Sequence, residues 1–298
     1  MSDNGGRKGK SGIGVYALSD IHLDNERNKL WFQKLLNDNY ADDTLILAGD
    51  VSDDLDLLRE TLTALRGLFN EVFFVPGNHE LWINRSDCDD SLTKFWKIID
   101  LCNSLNVNTS PAKVGGVKNG KGVWILPLFS WYRKPEESDK SLYYEKQGDD
   151  PTLEIWCDTH FVKWPSFKEQ GSAADYFLHL NEKQTPSSFD GPVISFSHFL
   201  PRRDLIFSTQ EERIMNGAIL KDPHPAFNFS RVAGCSGLEE QIRKFGSIIH
   251  VYGHQHRNRH RIVDDILYIS HCLGSHLERQ NHLLGGDMNG PKLIWEEK

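Results

Sequence analysis

The 298-residue sequence contains few cysteines, and none of them is paired in a short motif. Its five cysteines lie far apart along the chain, and none belongs to a C-x-x-C pair. An odd number of scattered cysteines argues against a disulfide framework and against a zinc site made of thiolates. We therefore expect free thiols and a reducing compartment. The expected location is the cytoplasm, with an organelle left open.

Long apolar segments are also missing. The longest apolar stretches, such as residues 72–75, are far shorter than the roughly 20 residues that a membrane span needs. Residues 1–12 are polar and rich in glycine, lysine and serine, without the apolar region of a signal peptide. We expect a disordered N-terminal tail there and no membrane partner.

An excess of positive charge is absent as well. Lysine and arginine number 34 against 42 aspartates and glutamates, which gives a formal net charge of −8. A protein that binds nucleic acid through bulk electrostatics carries the opposite balance. A small partner is therefore favoured over nucleic acid, a local basic groove is left open, and the sequence does not indicate an oligomeric state.

From Ile13 onward, short apolar runs alternate with longer amphipathic stretches, which predicts an α/β fold. The predicted strands span residues 13–18, 44–48, 72–75, 122–126, 193–197, 247–252, 261–263 and 266–270. The predicted helices span residues 27–39, 54–69, 87–105, 173–184 and 238–245. The pattern loosens between about 131 and 191, which we interpret as an insertion over a site in a single domain that spans residues 13–298.

Polar clusters follow several of the predicted strands. These clusters are Asp20 with His22, Asp50, Asn78 with His79, His198, and His254 with His256. Each cluster alone has an ordinary explanation as a helix cap, a turn or a core histidine. Together they point to one site, because ligands of open α/β sheets bind at the carboxyl ends of the strands. Histidine, carboxylate and amide ligands suit Mn, Fe or Zn, and a carboxylate can bridge two cations.

These clusters resemble the ordered blocks of the calcineurin-like metallophosphoesterase superfamily, D-x-H, G-D-x-x-D, G-N-H-[ED], H and G-H-x-H. In this sequence the blocks are Asp20–Ile21–His22, Gly49–Asp50–Val51–Ser52–Asp53, Gly77–Asn78–His79–Glu80, His198, and Gly253–His254–Gln255–His256. The resemblance implies a four-layer α/β/β/α sandwich, in which two β-sheets pack face to face with helices outside. It also implies two divalent metal ions. Asp20, His22 and His256 would bind one metal, Asn78, His198 and His254 the other, and Asp50 would bridge both.

The same resemblance implies hydrolysis of a phosphoester, in which a hydroxide that bridges the two metals attacks phosphorus. His79 is the candidate for protonating the leaving group, and Asp53 would orient it. Two departures from the family's motifs argue against a protein Ser/Thr phosphatase and against a purple acid phosphatase. Asp54 and Pro76 replace the arginines that flank these motifs in protein Ser/Thr phosphatases, and Asp53 stands where purple acid phosphatases have a metal-binding tyrosine. RNA-debranching enzymes also share most of this set, but their first block usually departs from D-x-H.

The sequence leaves the substrate class open. The favoured hypothesis is a phosphomonoesterase acting on a small phosphorylated molecule. The alternatives are a phosphodiesterase acting on a nucleotide or nucleic acid, and an interaction scaffold without activity, which the complete set of ligands disfavours. Arg202 and Arg203 are candidates for contacting the substrate phosphate in place of the missing arginines.

Overall fold

The computed structural model describes residues 12–116, 122–167, 171–215, 225–285 and 288–297. Its strands are β1 (Gly14–Leu18), β2 (Tyr40–Leu47), β3 (Phe69–Phe74), β4 (Ala112–Val114), β5 (Val123–Pro127), β6 (Val193–Phe196), β7 (Ser247–Tyr252), β8 (Arg259–Val263), β9 (Ile266–Ser270) and β10 (Lys292–Glu296). Its helices are α1 (Glu26–Leu35), α2 (Leu55–Leu68), α3 (Ser91–Ser104), α4 (Asp158–Phe161), α5 (Ala173–Gln184), α6 (Gln210–Met215), α7 (Ser236–Lys244) and α8 (His276–Gln280). Short 3₁₀ helices lie at His79–Leu81, Arg203–Leu205 and Phe229–Arg231. The predicted N-terminal tail lies outside the described residues, apart from Gly12.

The strands form two sheets, with the orders β10-β1-β2-β3 and β4-β5-β6-β7-β9-β8. Strands β1, β2 and β3 are parallel, and β10 joins them antiparallel. In the larger sheet β5, β6, β7 and β9 are parallel, and β4 and β8 are the antiparallel edges. One buried hydrophobic cluster takes side chains from both sheets. The chain therefore has the α/β sandwich that the sequence predicted.

The parallel strands are buried on both faces, which explains why they appear in the sequence as continuous apolar runs. All five residues of β1 are buried. Helix α2 presents Leu58, Leu62 and Leu65 to the core at helical spacing. Its N-terminus is capped by Asp54, whose side chain accepts hydrogen bonds from the amides of Asp56 and Leu57.

Three predicted boundaries are wrong by four residues each. Helix α1 ends at Leu35 rather than at residue 39, because Asn37 turns its side-chain amide back to the carbonyl of Gln33, at 2.9 Å. Strand β2 then begins at Tyr40, four residues before the predicted start. Helix α3 begins at Ser91 rather than at residue 87, because the side chain of Asp90 accepts the amide of Thr93 as its cap.

The segment at residues 131–191 contains α4 and α5 and belongs partly to the main core. The ring of Phe177 on α5 lies 5.0 Å from that of Phe95 on α3, edge to face. The assignment of one domain that carries this segment as an insertion stays a prediction. All five cysteines are free thiols. Among the described residues no helix combines the length and the apolar character that a membrane crossing requires.

Candidate metal centre

The predicted ligands lie at the carboxyl ends of parallel strands from both sheets. Asp20, Asp50 and Asn78 follow β1, β2 and β3, while His198 and His254 follow β6 and β7. Backbone hydrogen bonds hold these loops together. The amide of Asp20 donates to the carbonyl of Gly49 at 2.9 Å, and the amide of Gly253 donates to that of His198 at 2.9 Å. The two sheets also meet beside the site, where Leu273 donates to the carbonyl of Ser19 at 3.1 Å.

One group of donors consists of Asp20, His22, Asp50 and His256, whose ligand atoms all lie within 4.8 Å of one another. The Nε2 atoms of His22 and His256 are 2.9 Å apart. Nε2 of His256 also lies 3.4 Å from Oδ1 of Asp20. This arrangement presents two imidazole nitrogens and two carboxylates to one small volume.

The second group consists of Asp50, His198 and His254, again within 4.8 Å. The side-chain oxygen of Asn78 adds a neutral donor, since it lies 3.1 Å from Nε2 of His198 and 3.1 Å from Nδ1 of His254. Asp50 belongs to both groups, and its Oδ2 is 3.5 Å from Nε2 of His198 and 3.9 Å from Nε2 of His22. The structure therefore brings all the predicted ligands together, and their role as ligands stays a prediction.

The backbone around the donors is strained. Side chains other than glycine rarely adopt positive φ, and holding them there costs on the order of 1–3 kcal/mol each. Most of the donor residues nevertheless have this conformation. They are Asp20 (φ 51°), His22 (φ 40°), Asp50 (φ 57°), His254 (φ 70°) and His256 (φ 52°). Such strain persists where surrounding contacts enforce it, and it is typical of functional sites.

Two glycines make the close approach of these loops possible. Gly49 has φ +80°, and a Cβ there would come within 2.6 Å of Nδ1 of His198. A Cβ on Gly77 would overlap Oδ1 of Asp50. Because glycine has no Cβ, the side chains of His198 and Asp50 can approach the backbone at these two positions.

Glu80 ties two of the loops to each other. Its buried carboxylate accepts the backbone amides of Asp50 at 2.9 Å, Val51 at 2.6 Å and Ser52 at 3.0 Å. It also accepts the amide of Gly77 at 2.7 Å. Four amides converging on one carboxylate fix the loop that carries Asp50 against the loop that carries Asn78.

The donors are buried ionisable groups whose pKa values are shifted in opposite directions. Burial raises the pKa of Asp50, and the nearby carboxylates of Glu80 and Asp20 raise it further. Burial lowers the pKa of His22 to about 3, with the charge of His256 adding to the effect. Burial would also lower the pKa of His256, but its hydrogen bonds to Asp20 and Glu278 outweigh this and raise the pKa to about 10.

These donors fit divalent metal ions. Asp20 and Asp50 are almost fully buried carboxylates, at 0% and 2% exposure, and burying two such charges together is costly without cations. Facing imidazole nitrogens at 2.9 Å need a proton or a metal between them. Nitrogen and oxygen donors without thiolates suit Mn, Fe or Zn.

Two supporting carboxylates were not predicted from the sequence. Glu278 on α8 accepts from Nδ1 of His256 at 2.8 Å, which leaves Nε2 free to face the donor group. Asp158 on α4 accepts the side-chain amide of Asn78 at 2.9 Å. Neither belongs to a strand end or a motif block, so the signals that located the donors do not extend to them.

The predicted catalytic pair is only partly brought together. Nε2 of His79 lies 3.8 Å from Oδ2 of Asp50, and its ring packs on that of Trp82 with centroids 3.8 Å apart and a tilt of 30°. Among the hydrogen bonds of the described residues, none joins Asp53 to His79. The carboxylate of Asp53 instead contacts Arg85 at 3.2 Å.

The two arginines proposed to contact substrate have other partners. Arg202 forms ion pairs with Asp204, Glu239 and Asp264, at 2.8, 2.9 and 3.1 Å. Arg203 is exposed and donates to the carbonyl of Ser141 at 3.4 Å. These contacts do not favour a role in binding substrate. The exposed Arg85 was not predicted. Its guanidinium lies 3.2 Å from the carboxylate of Asp53.

Aromatic side chains border the second donor group. The rings of Trp156 and Phe227 are stacked, with centroids 5.3 Å apart, and the edge of Trp156 faces His254 at 5.8 Å. The ring of Phe229 lies 5.2 Å from that of His254. All three aromatic residues are half-buried, so part of this wall is accessible to a ligand.

The sequence matches the family model of the calcineurin-like phosphoesterases over residues 13–258. A curated relative, the [Acyl-carrier-protein] phosphodiesterase PptH of Mycobacterium tuberculosis (strain ATCC 25618 / H37Rv), is 34% identical over 122 residues. That stretch covers 40% of this chain and 37% of the relative, so the match spans little more than a third of the relative's length.

The fold is similar to a solved structure, the crystal structure of Phosphopantetheinyl Hydrolase (PptH) from Mycobacterium tuberculosis. The TM-score is 0.73, the sequence identity is 20%, and the match covers 95% of this chain and 96% of that one. At this identity the likeness concerns the fold.

Proposed function

Because the chain belongs to the calcineurin-like phosphoesterase family, and is thus a dinuclear metallophosphoesterase, we propose that it is a phosphodiesterase. Its proposed substrate is the phosphodiester that links a phosphopantetheinyl group to an acyl carrier protein. The observation that carries the proposal is the pair of donor groups that share Asp50, since two-metal sites are suited to in-line displacement at phosphorus. The substrate class follows the name of the 34% identical relative.

The charges around the donors favour a diester over the monoester that the sequence suggested. A monoester carries up to two negative charges, and proteins usually hold it with arginine or lysine. Among the described contacts, no arginine or lysine side chain reaches a side-chain donor atom of the site. A diester carries a single charge, which the metal ions themselves can balance.

The aromatic wall of Trp156, Phe227 and Phe229 supports the same choice. A diester has organic groups on both sides of phosphorus, whereas a small monoester has one. The wall borders the second donor group and offers apolar surface to one of these groups.

In the proposed reaction Asp20, His22 and His256 would hold one metal ion, Asn78, His198 and His254 would hold the other, and Asp50 would be shared. When bound, the metal ions would supply activation of water and neutralise the phosphate oxygens. His79 donates a proton to the departing oxygen, and the ring of Trp82, packed against that of His79, limits its movement. Water adds to phosphorus and releases one proton to solvent, one P–O bond breaks, and the departing oxygen takes the proton of His79 and leaves as an alcohol. Solvent then returns a proton to His79.

The test is hydrolysis by metal-free protein to which Mn²⁺ is added back. We expect release of the phosphopantetheinyl group from a holo carrier protein, seen by mass spectrometry. We also expect a higher kcat/KM on bis(p-nitrophenyl) phosphate than on p-nitrophenyl phosphate. Asp50→Asn is the control and should be inactive on all three.

Preference for the monoester would contradict the diesterase proposal and restore the small-molecule phosphatase. Cleavage of the aryl diester without cleavage of the carrier protein would retain the reaction type and reject the substrate. If metal-loaded protein hydrolyses none of them, the scaffold alternative gains support.

A further inference from the structure

Asp158 lies at the centre of a buried cluster of hydrogen bonds beside the second donor group. Its side chain is 2% exposed. Oδ1 accepts the amide of Asn78 at 2.9 Å and the indole N–H of Trp82 at 2.6 Å. Oδ2 accepts the indole N–H of Trp156 at 2.9 Å. Every donor in this cluster therefore points at one carboxylate.

This cluster fixes the orientation of Asn78. The side-chain amide of asparagine has an NH₂ group that donates and an oxygen that accepts, and rotation of the amide by half a turn exchanges their positions. Because the NH₂ group of Asn78 is held by Asp158, its oxygen must face His198 and His254, at 3.1 Å from each. The reverse orientation would turn N–H groups toward the metal position and place the oxygen against the carboxylate of Asp158.

The same carboxylate also holds Trp82, against whose ring the ring of His79 packs. A metal ligand and the candidate proton donor thus depend on one side chain, and that side chain is in the segment at 131–191, outside all five motif blocks. The cluster gives this segment a defined role at the site.

We propose that Asp158 is a positioning residue that selects the metal-binding orientation of Asn78. Supporting groups that orient a metal ligand typically change metal affinity by 10–100-fold when they are removed. The inference rests on the metal centre of the proposed function, but it does not depend on which phosphoester is hydrolysed.

The test measures metal binding without substrate. Asp158→Leu keeps the approximate shape of the side chain and removes both acceptors. We expect the metal content by elemental analysis to fall from about two ions per chain toward one. The metal site that contains Asn78 should lose about 10–100-fold in Mn²⁺ affinity, measured by calorimetry. Asp158→Ala is measured in parallel. It removes the same acceptors with a smaller side chain, so an effect caused only by the shape of leucine is recognised.

Asp158→Asn is the rescue variant. Its carbonyl oxygen can still accept from Asn78 and Trp82, with the unfavourable contact confined to Trp156. We therefore expect Asp158→Asn to retain both metal ions. A role that depended only on the negative charge would make asparagine as harmful as leucine, and that result would overturn the proposal.

Asp149→Leu is the matched control. Asp149 is a mostly buried carboxylate of the same segment, 12% exposed, and it pairs with Arg231 at 2.6 Å without contacting a donor residue. Loss of metal in Asp149→Leu equal to that in Asp158→Leu would show general loosening of the segment and reject the positioning role. Unchanged metal content and affinity in both Asp158→Leu and Asp158→Ala would reject it as well.

Discussion

At the scale of single residues, the site combines ordinary ligand chemistry with unusual backbone conformations. Asp20 and His22 both have positive φ, and the intervening Ile21 is fully buried. The buried Ile21 anchors the loop in the core, and the side chains of Asp20 and His22 both reach the first donor group. Residues two apart share a face in an extended strand, but here the chain has left β1, and a turn with positive φ at both Asp20 and His22 brings the two donors of the D-x-H block together.

Replacing His79 with Asn tests its proposed role as the proton donor. Loss of general-acid help typically costs 10²–10⁴-fold, and the cost is greatest when the leaving group is a poor one. We expect the full loss in kcat on an alkyl diester and a much smaller loss on bis(p-nitrophenyl) phosphate, whose leaving group departs without a proton. Metal content should not change, because no predicted ligand is removed.

The control for this variant is His160→Asn, which alters an exposed histidine of α4. A rate deficit of His79→Asn that is the same for good and poor leaving groups would argue instead for stabilisation of the phosphoryl oxygens. Loss of metal from His79→Asn would contradict both roles.

At the scale of secondary structure, the sequence predicted the buried parallel strands best. Strands β7 and β9 were predicted with the observed bounds, because most residues of each strand are apolar. Two edge strands were missed. Only one residue of β4 and none of β10 is buried, so their sequences lack the apolar pattern, and their pairing depends on neighbours far along the chain.

The residues of the site also fall into those that the sequence predicted and those that it missed. The donor residues follow strand ends and recur in a known order, so the sequence was sufficient to predict that they meet. Asp158 and Glu278 are ordinary acidic residues in the sequence, and only the tertiary structure places them behind Asn78 and His256. Arg202 was assigned from its proximity to His198 in the sequence, whereas the fold turns its guanidinium toward Glu239.

Strand β7 contains a buried histidine whose titration should destabilise the fold in acid. His250 is fully buried between the hydroxyls of Ser195 and Ser197, at 2.9 and 3.1 Å, and burial lowers its pKa from 6.5 to about 3. Between these values the unfolded chain binds the proton and the folded chain does not. Its contribution to stability is therefore complete above pH 6.5 and is lost as the pH falls toward 3.

His250→Gln removes this titration. We expect the free energy of unfolding of the wild type to fall with decreasing pH more steeply than that of His250→Gln, by about 1.4 kcal/mol per pH unit below pH 6. Urea unfolding at several pH values measures the two slopes. His179→Gln, a change at an exposed histidine of α5, should keep the wild-type slope. Parallel curves for wild type and His250→Gln would contradict the prediction.

At the scale of the whole molecule, the donor groups connect the two sheets. Asp20, Asp50 and Asn78 come from the smaller sheet, while His198 and His254 come from the larger one. A metal ion held by donors from both sheets would link the sheets across the core. Metal binding is therefore expected to stabilise the fold as a whole in addition to serving the reaction.

Chelation should therefore lower the melting temperature of the protein. A ligand that binds only the folded state at 100 times its Kd adds about 2.7 kcal/mol, which corresponds to several degrees in Tm for a chain of this size. We expect Tm to fall on metal removal and to rise again with the logarithm of the Mn²⁺ concentration. Asp50→Asn weakens both donor groups at once, so its Tm should respond far less to Mn²⁺. Calorimetry with elemental analysis of the same samples provides the measurement. An unchanged wild-type Tm after verified metal loss would mean that the sheets hold together without the metal link, and an equal response in Asp50→Asn would place the stabilising ion elsewhere.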